Sequence, residues 1–331
     1  MRFIALFVIC GLAVAQAQEP ERPEFGAWLQ GVRQEALDRG IGATTVAQAF
    51  DGLEPLEVVV QRDRSQAETV LTVDEYVRRR LTPRFVKTAN ERAAAERRTL
   101  TRVGQHYGVQ PRILVAIWGL ESNFGRFSGV RPVVQALATL AWEGRRGAFF
   151  KDELMNALQI VDRGDIELTV MKGSWAGAMG QPQFMPSSYL KHAEDFDGDG
   201  ERDIWRSTPD VLASIANYLK AYGWQADQTW GREVKLPPGG AGALVEKVGL
   251  RSSGCRAARE MSEPRKLAEW QKLGVRTTEG RGLPKVDRSA SLLPAGRRAF
   301  LVYANYETLL GYNCAHAYAL AVGQLADRIR R

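Results

Sequence analysis

The sequence predicts a mainly α protein of the α+β kind: a helical core, a helical region before it, and a small irregular or β-containing subdomain. Three observations predict it. Apolar residues recur at helical spacing from Phe25 to Tyr222. Prolines (Pro111, Pro132, Pro209) stand where those patterns open, and Gly40 and Gly223 stand where two of them close. The run Pro237-Pro238-Gly239-Gly240 then breaks any helix, and helical texture returns only from Phe300.

In chain order, Met1-Arg2, an apolar run Phe3 to Val14 and the small residues Ala15-Gln16-Ala17 predict a cleaved secretory signal over residues 1–17. The run is too short to span a bilayer. Cys10 lies inside the apolar run behind bulky Ile9, which argues against lipid attachment. Residues 18–84 form the N-terminal helical region, with Phe25, Trp28, Leu29, Val32 and Ala36 in step and a second helix over Thr45 to Phe50. Residues 85–224 read as one compact unit. There a charged surface helix covers Ala89 to Tyr107, and an apolar helix runs from Ile113 to Leu120. Further helices are marked by Val133, Leu137 and Leu140, by Phe150, Leu154 and Leu158, and by Leu212, Ile215 and Leu219. Residues 225–295 are the irregular or β-containing piece, and 296–331 the C-terminal helical segment.

The chain has 331 residues, a net charge of +7 and a pI near 9.4, which favours an anionic partner or simply solubility. No basic stripe interleaved with stacking aromatics points to nucleic acid. In an exported protein, an anionic envelope polymer fits more simply. Cys255 and Cys314 remain after the signal. They either pair, which would stabilise by about 3–5 kcal/mol, or stay as buried thiols.

The strongest chemistry lies in Ile117-Trp118-Gly119-Leu120-Glu121-Ser122-Asn123-Phe124-Gly125. Leu114, Ile117, Trp118 and Glu121 share one helical stripe, so the carboxyl continues an apolar face. A helix ending near Gly125 places Glu121 at the negative end of the helix dipole. Dipole and burial both raise its pKa, which suits a general acid that protonates a leaving oxygen. On position alone, an exposed last-turn glutamate is the commoner case. The segment Gly173 to Tyr189 is glycine-dense. Ser174 and Gln183 offer hydrogen bonds to sugar groups, and Met185 and Tyr189 offer apolar surface. A tightly packed helix–loop junction would also explain those glycines.

The acidic loop Asp195-Phe196-Asp197-Gly198-Asp199-Gly200-Glu201 has EF-hand spacing, with Gly at the sixth position. Asp195, Asp197, Asp199 and the Glu201 carbonyl are candidate Ca²⁺ ligands. Arg206 replaces the usual twelfth-position Glu, and Asp210 is placed to reach back instead. The role would be structural, since a lone loop has no partner with which to signal. The alternative is an acidic turn that caps a helix.

Gly119 to Gly125, the Gly173 to Tyr189 segment, and Asn217-Tyr218-Leu219 ending at Gly223-Trp224 occur in order, with Asp195 to Trp205 between the last two. Near the end stand Tyr312-Asn313 and Tyr318-Ala319-Leu320-Ala321-Val322. Together these resemble the family of membrane-bound lytic murein transglycosylase B, over most of the chain and least between Gln225 and Leu293. The resemblance implies a lysozyme-like helical core over 85–224 with Glu121 as its single catalytic acid. It places Ser174, Gln183, Tyr312 and Asn313 in the glycan cleft, with Met185 and Tyr318 as further sugar contacts, and folds the C-terminal helices back onto the site. The missing lipid-attachment cysteine implies a soluble, periplasmic relative. Gln181-Pro182 departs from the family pattern.

An ordinary glycosidase uses two carboxylates. Here Glu143, Asp152 and Glu153 read as solvated helix charges. One acid suits the family's reaction: cleavage of the bond between N-acetylmuramic acid and N-acetylglucosamine of peptidoglycan, without water, leaving a 1,6-anhydromuramic end. No catalytic cofactor is implied. Hydrolysis by the same acid is the alternative, and a non-catalytic cell-wall glycan-binding protein is the competing class. No Gly-x-Ser-x-Gly elbow or His-Glu-x-x-His supports other hydrolytic chemistry.

Overall fold

The computed structural model describes residues 23–65 and 71–330. The signal expected over residues 1–17 lies outside them. Fifteen helices and seven short strands occur among the described residues. No helix there is long and apolar enough to cross a membrane.

The centre is the helix Pro111–Ser122. Its proline occupies the first turn, where the missing N–H costs nothing, and residues Ile113 to Leu120 are all buried. A helix apolar all round needs neighbours on every side. They are Pro83–Ala95, Arg97–Tyr107, Thr208–Ala221 and the last helix, His316–Arg328. The antiparallel pair Val133–Glu143 and Gly147–Asp162 forms a second layer, covered by the N-terminal helices Phe25–Asp38, Ala43–Phe50 and Glu57–Ser65. The charged helix expected over Ala89 to Tyr107 is two helices, hinged where Glu96 leaves helical geometry.

The β-containing piece is a five-stranded antiparallel sheet. Its strands stand in the order Arg265–Lys266, Ser289–Ala295, Arg298–Val302, Gly231–Lys235 and Arg276–Thr277. It has its own small core around Trp270, Leu292 and Leu301. Here the texture misled. Phe300-Leu301-Val302 is a strand, not the start of the C-terminal helices, so the sheet runs past residue 295. Both faces of that strand are buried, which gives a continuous apolar run rather than alternation. The closing helices begin at Ala304. A disulfide joins Cys255, in a loop beside the sheet, to Cys314, between the last two helices.

Candidate active site

Glu121 sits in the last turn of the central helix. Asn123 ends that helix in the left-handed conformation, followed by Phe124 and Gly125, also at positive φ. Phe124 folds back over Gly119, where a side chain would lie 2.6 Å from its ring. Among the described residues, the non-glycine positions at positive φ are Asn123, Phe124 and Gln183. All three lie in the two segments singled out above. Such backbone persists only where its surroundings hold it.

Gln181 supplies much of that hold. Its Oε1 accepts a hydrogen bond from Trp118 Nε1 at 2.7 Å, and its Nε2 donates to the Trp205 carbonyl at 2.8 Å. It thus ties the acid helix to the glycine turn and to the end of the acidic loop. A Cβ on Gly125 would strike it at 2.5 Å. The departure at Gln181-Pro182 is therefore a structural bracket. Gly173 and Gly177 also meet neighbours at less than 3 Å where a Cβ would stand, so close packing accounts for these glycines.

Glu121 keeps part of its surface open while protein surrounds its carboxyl. Burial pushes its pKa up to about 7, against smaller opposing pulls from the Tyr318 hydroxyl and the Arg80 charge. Arg80 spends a hydrogen bond on the Leu120 carbonyl, an unpaired acceptor at the helix end. The Tyr318 hydroxyl is buried beside the carboxyl with no partner at hydrogen-bonding geometry. Tyr76 also faces the acid. Tyr76 and Arg80 were missed in the sequence. Their helix, Val73–Arg80, is short and polar, although Thr72 with Glu75 three residues on is a start signal, and the Thr72 side chain caps the Glu75 N–H.

The C-terminal helices return to the site. Tyr312 lies parallel to Tyr318 at 6.4 Å and donates to the Pro182 carbonyl at 2.7 Å. Both tyrosines feel the Glu121 charge. Gln183 Nε2 donates to the carbonyls of Gly180 and Ser128, and the Ser174 hydroxyl accepts from the N–H groups of Ala176 and Ala178. These two side chains thus shape the turns. Met185 is half-buried at the start of the helix Pro186–His192. Asn313 is exposed, and its side chain makes no hydrogen bond among the described residues.

Of the three neighbouring acids, Asp152 is exposed and pairs with Arg39, as expected of a surface charge. Glu153 is not solvated: it is 5% exposed and accepts from the N–H and hydroxyl of Ser187. It was misread because helical charge looks the same whichever element covers it. Glu143 is half-buried and paired with Arg64.

In the acidic loop, carboxylate oxygens of Asp195, Asp197 and Asp210 lie within 4.8 Å of one another. Asp210 is buried. Burial and the charge of Asp197 push its pKa up, against backbone N–H bonds from Phe196 and Asp203 that lower it. Converging hard oxygens with a raised carboxyl fit an oxygen-seeking cation such as Ca²⁺. Asp199 is not brought into this group; its carboxylate accepts the N–H of Glu201 at 2.8 Å. The Glu201 side chain is exposed.

The family model described as transglycosylase SLT domain matches residues 24–327. Membrane-bound lytic murein transglycosylase B of Escherichia coli K12 is 35% identical over 233 residues, 70% of this chain and 60% of its own length. The chain thus spans less than two thirds of that relative. SltB3 of Pseudomonas aeruginosa, solved in complex with NAG-anhNAM-pentapeptide, superposes with TM-score 0.84 at 45% identity, covering 92% of this chain and 78% of that one. Escherichia coli lytic transglycosylase Slt35, solved in complex with calcium, gives TM-score 0.75 at 28% identity, covering 91% of each chain.

Proposed function

The chain belongs to the transglycosylase SLT domain family, and we propose that it is a lytic transglycosylase that cleaves peptidoglycan glycan strands. The observation that carries this reading is the carboxyl of Glu121, raised to about 7 by burial at the end of an apolar helix. In that state Glu121 donates its proton to the glycosidic oxygen between N-acetylmuramic acid and N-acetylglucosamine as the C1–O bond breaks. The carboxylate left behind takes the proton of the muramic C6 hydroxyl, whose oxygen bonds to C1. The product is a 1,6-anhydromuramic end, and Glu121 regains its proton without water entering. No second carboxylate is coupled to Glu121 among the described residues, which suits one group serving as acid and then base. SltB3 bound to NAG-anhNAM-pentapeptide and to NAG-NAM-pentapeptide supports the same substrate class.

Tyr312 and Tyr318 border the acid, while Ser174, Gln183, Met185 and Asn313 line the adjoining cleft as sugar contacts. Asp195, Asp197 and Asp210 would hold Ca²⁺, which would brace the loop whose end Gln181 ties to the acid helix. The N-terminal signal would deliver the enzyme to the periplasm, where its substrate lies. Mass spectrometry of purified glycan digested by the mature protein, beside Glu121→Gln, tests the reading. Anhydromuramic products from the wild type alone support it. Reducing-end products lost in the variant would make it a hydrolytic muramidase. Binding without cleavage would make it a glycan-binding protein.

A further inference from the structure

A cavity of about 380 Å³ opens where three parts of the chain meet: the helix Val73–Arg80, the sheet strand Arg298–Val302, and the last helix, His316–Arg328. Three arginines line it, Arg78, Arg298 and Arg328, against one acid, Asp74. It stands apart from the catalytic acid. The helix Val73–Arg80 turns Tyr76 and Arg80 toward Glu121, and Asp74 and Arg78 toward the cavity.

Gln324 also lines the cavity and is only 8% exposed. Its Oε1 accepts from Arg298 Nη1 at 3.2 Å, while its Nε2 is buried with no hydrogen-bond partner. Rotating the amide by half a turn does not help. It would set an NH₂ group against a guanidinium that can only donate. The Gln324 N–H donors are shut off from solvent and lack an acceptor within the chain, and a small turn of the side chain toward the cavity it lines would open them to one. Arg298 is already engaged by Glu233 at 2.6 Å. The side chains of Arg78 and Arg328 have no ion pair or hydrogen bond among the described residues. Two exposed guanidinium groups without an ion pair and one unsatisfied buried amide thus border a cavity whose single acid, Asp74, lies 4.0 Å from Arg298.

We propose that this cavity binds an oxyanion, with the Gln324 amide and the guanidinium groups of Arg78 and Arg328 as its donors. The ligand is either the terminal carboxylate of a peptide or a free inorganic oxyanion such as phosphate. The peptide source rests on the proposed action on peptidoglycan, which carries peptides. The oxyanion chemistry itself does not.

Isothermal calorimetry on the mature protein separates these sources. The probes are inorganic phosphate, a short alanine peptide with a free C-terminus, and the same peptide amidated. Two variants accompany the wild type. Gln324→Glu keeps an acceptor for Arg298 and removes the donor, and Arg78→Ala/Arg328→Ala leaves the buried amide in place. We expect one-to-one binding that weakens by at least about tenfold in both variants. Cleavage of peptide-free glycan by these variants should stay at the wild-type rate, so failure here is separable from failure of the proposed function. Binding of the free-acid peptide but not the amide assigns a peptide carboxylate, and binding of phosphate assigns a free oxyanion. No binding at millimolar concentration, equal binding of acid and amide, or unchanged binding in both variants would overturn the proposal.

Discussion

Glu121 and Asp63 are two carboxyls held near the C-terminal ends of their helices, and their environments drive them in opposite directions. Asp63 is only 2% exposed. Burial pushes its pKa up, yet the hydrogen bonds and charges of Arg145 and Arg146 outweigh that and hold it below the usual carboxylate range. Those arginines reach its oxygens at 2.9 to 3.0 Å. Glu121 has one arginine nearby, and that arginine donates to the Leu120 carbonyl. Burial then decides, and the carboxyl rises to about 7. The lesson is that low exposure does not make an acid. A shortage of donors on a buried carboxyl does.

The largest expected effect is on activity. Glu121→Gln should reduce glycan cleavage by about 10²–10⁴-fold, the range for loss of a general acid, with the fold intact by circular dichroism. An active variant would break the assignment. The next effect has a sign that follows from linkage. The raised pKa of Glu121 means that folding penalises its ionised form. That penalty grows as pH rises from the ordinary carboxylate value of 4.5 to about 7, and is complete above it. Denaturant unfolding should therefore show Glu121→Gln gaining on the wild type with rising pH, by up to about 3 kcal/mol at pH 8. Asp63 should behave in reverse. Its stabilisation is present above its unfolded pKa and is lost as pH falls through the lower folded one. Asp63→Asn should cost about 2 kcal/mol near neutral pH, a figure reduced because both arginines are about half exposed. It should leave cleavage per folded molecule unchanged. The smallest effect concerns Tyr318. Its hydroxyl pulls the Glu121 pKa down, so Tyr318→Phe should move the alkaline limb of the pH–rate profile upward. Because that hydroxyl is buried without a partner at hydrogen-bonding geometry, its removal should leave the fold as stable or more stable, by no more than about 1 kcal/mol.

Local signals made much of this legible in the sequence. The stripe Leu114, Ile117, Trp118 placed Glu121 on a buried helix, Pro111 and Pro209 marked two helix starts, and Pro237-Pro238 marked the change of texture, just after the first strand of the sheet, Gly231–Lys235. What was illegible depends on contacts distant in sequence. Asp63 lies in a charged segment that reads as surface, and only the fold brings Arg145 and Arg146 to it, more than 80 residues on. Glu153 was misread because its donor, Ser187, is 34 residues away. Tyr76 and Arg80 lie on a short helix whose apolar cue, Val73, Tyr76, Val77 and then Leu81, marks a buried face but not that it meets Glu121, 45 residues on from Tyr76. The strand at Phe300 was hidden because burial on both faces removes the alternation that marks a strand.

The most direct measurement is a ¹³C NMR titration of side-chain carboxyls in the mature protein, with the Glu121 resonance assigned by its absence in Glu121→Gln. The expected result is a midpoint near 7 for Glu121, beside an Asp63 midpoint below the usual carboxylate range. A Glu121 midpoint in the ordinary carboxylate range would mean that the group is ionised at neutral pH, and would contradict its role as the acid.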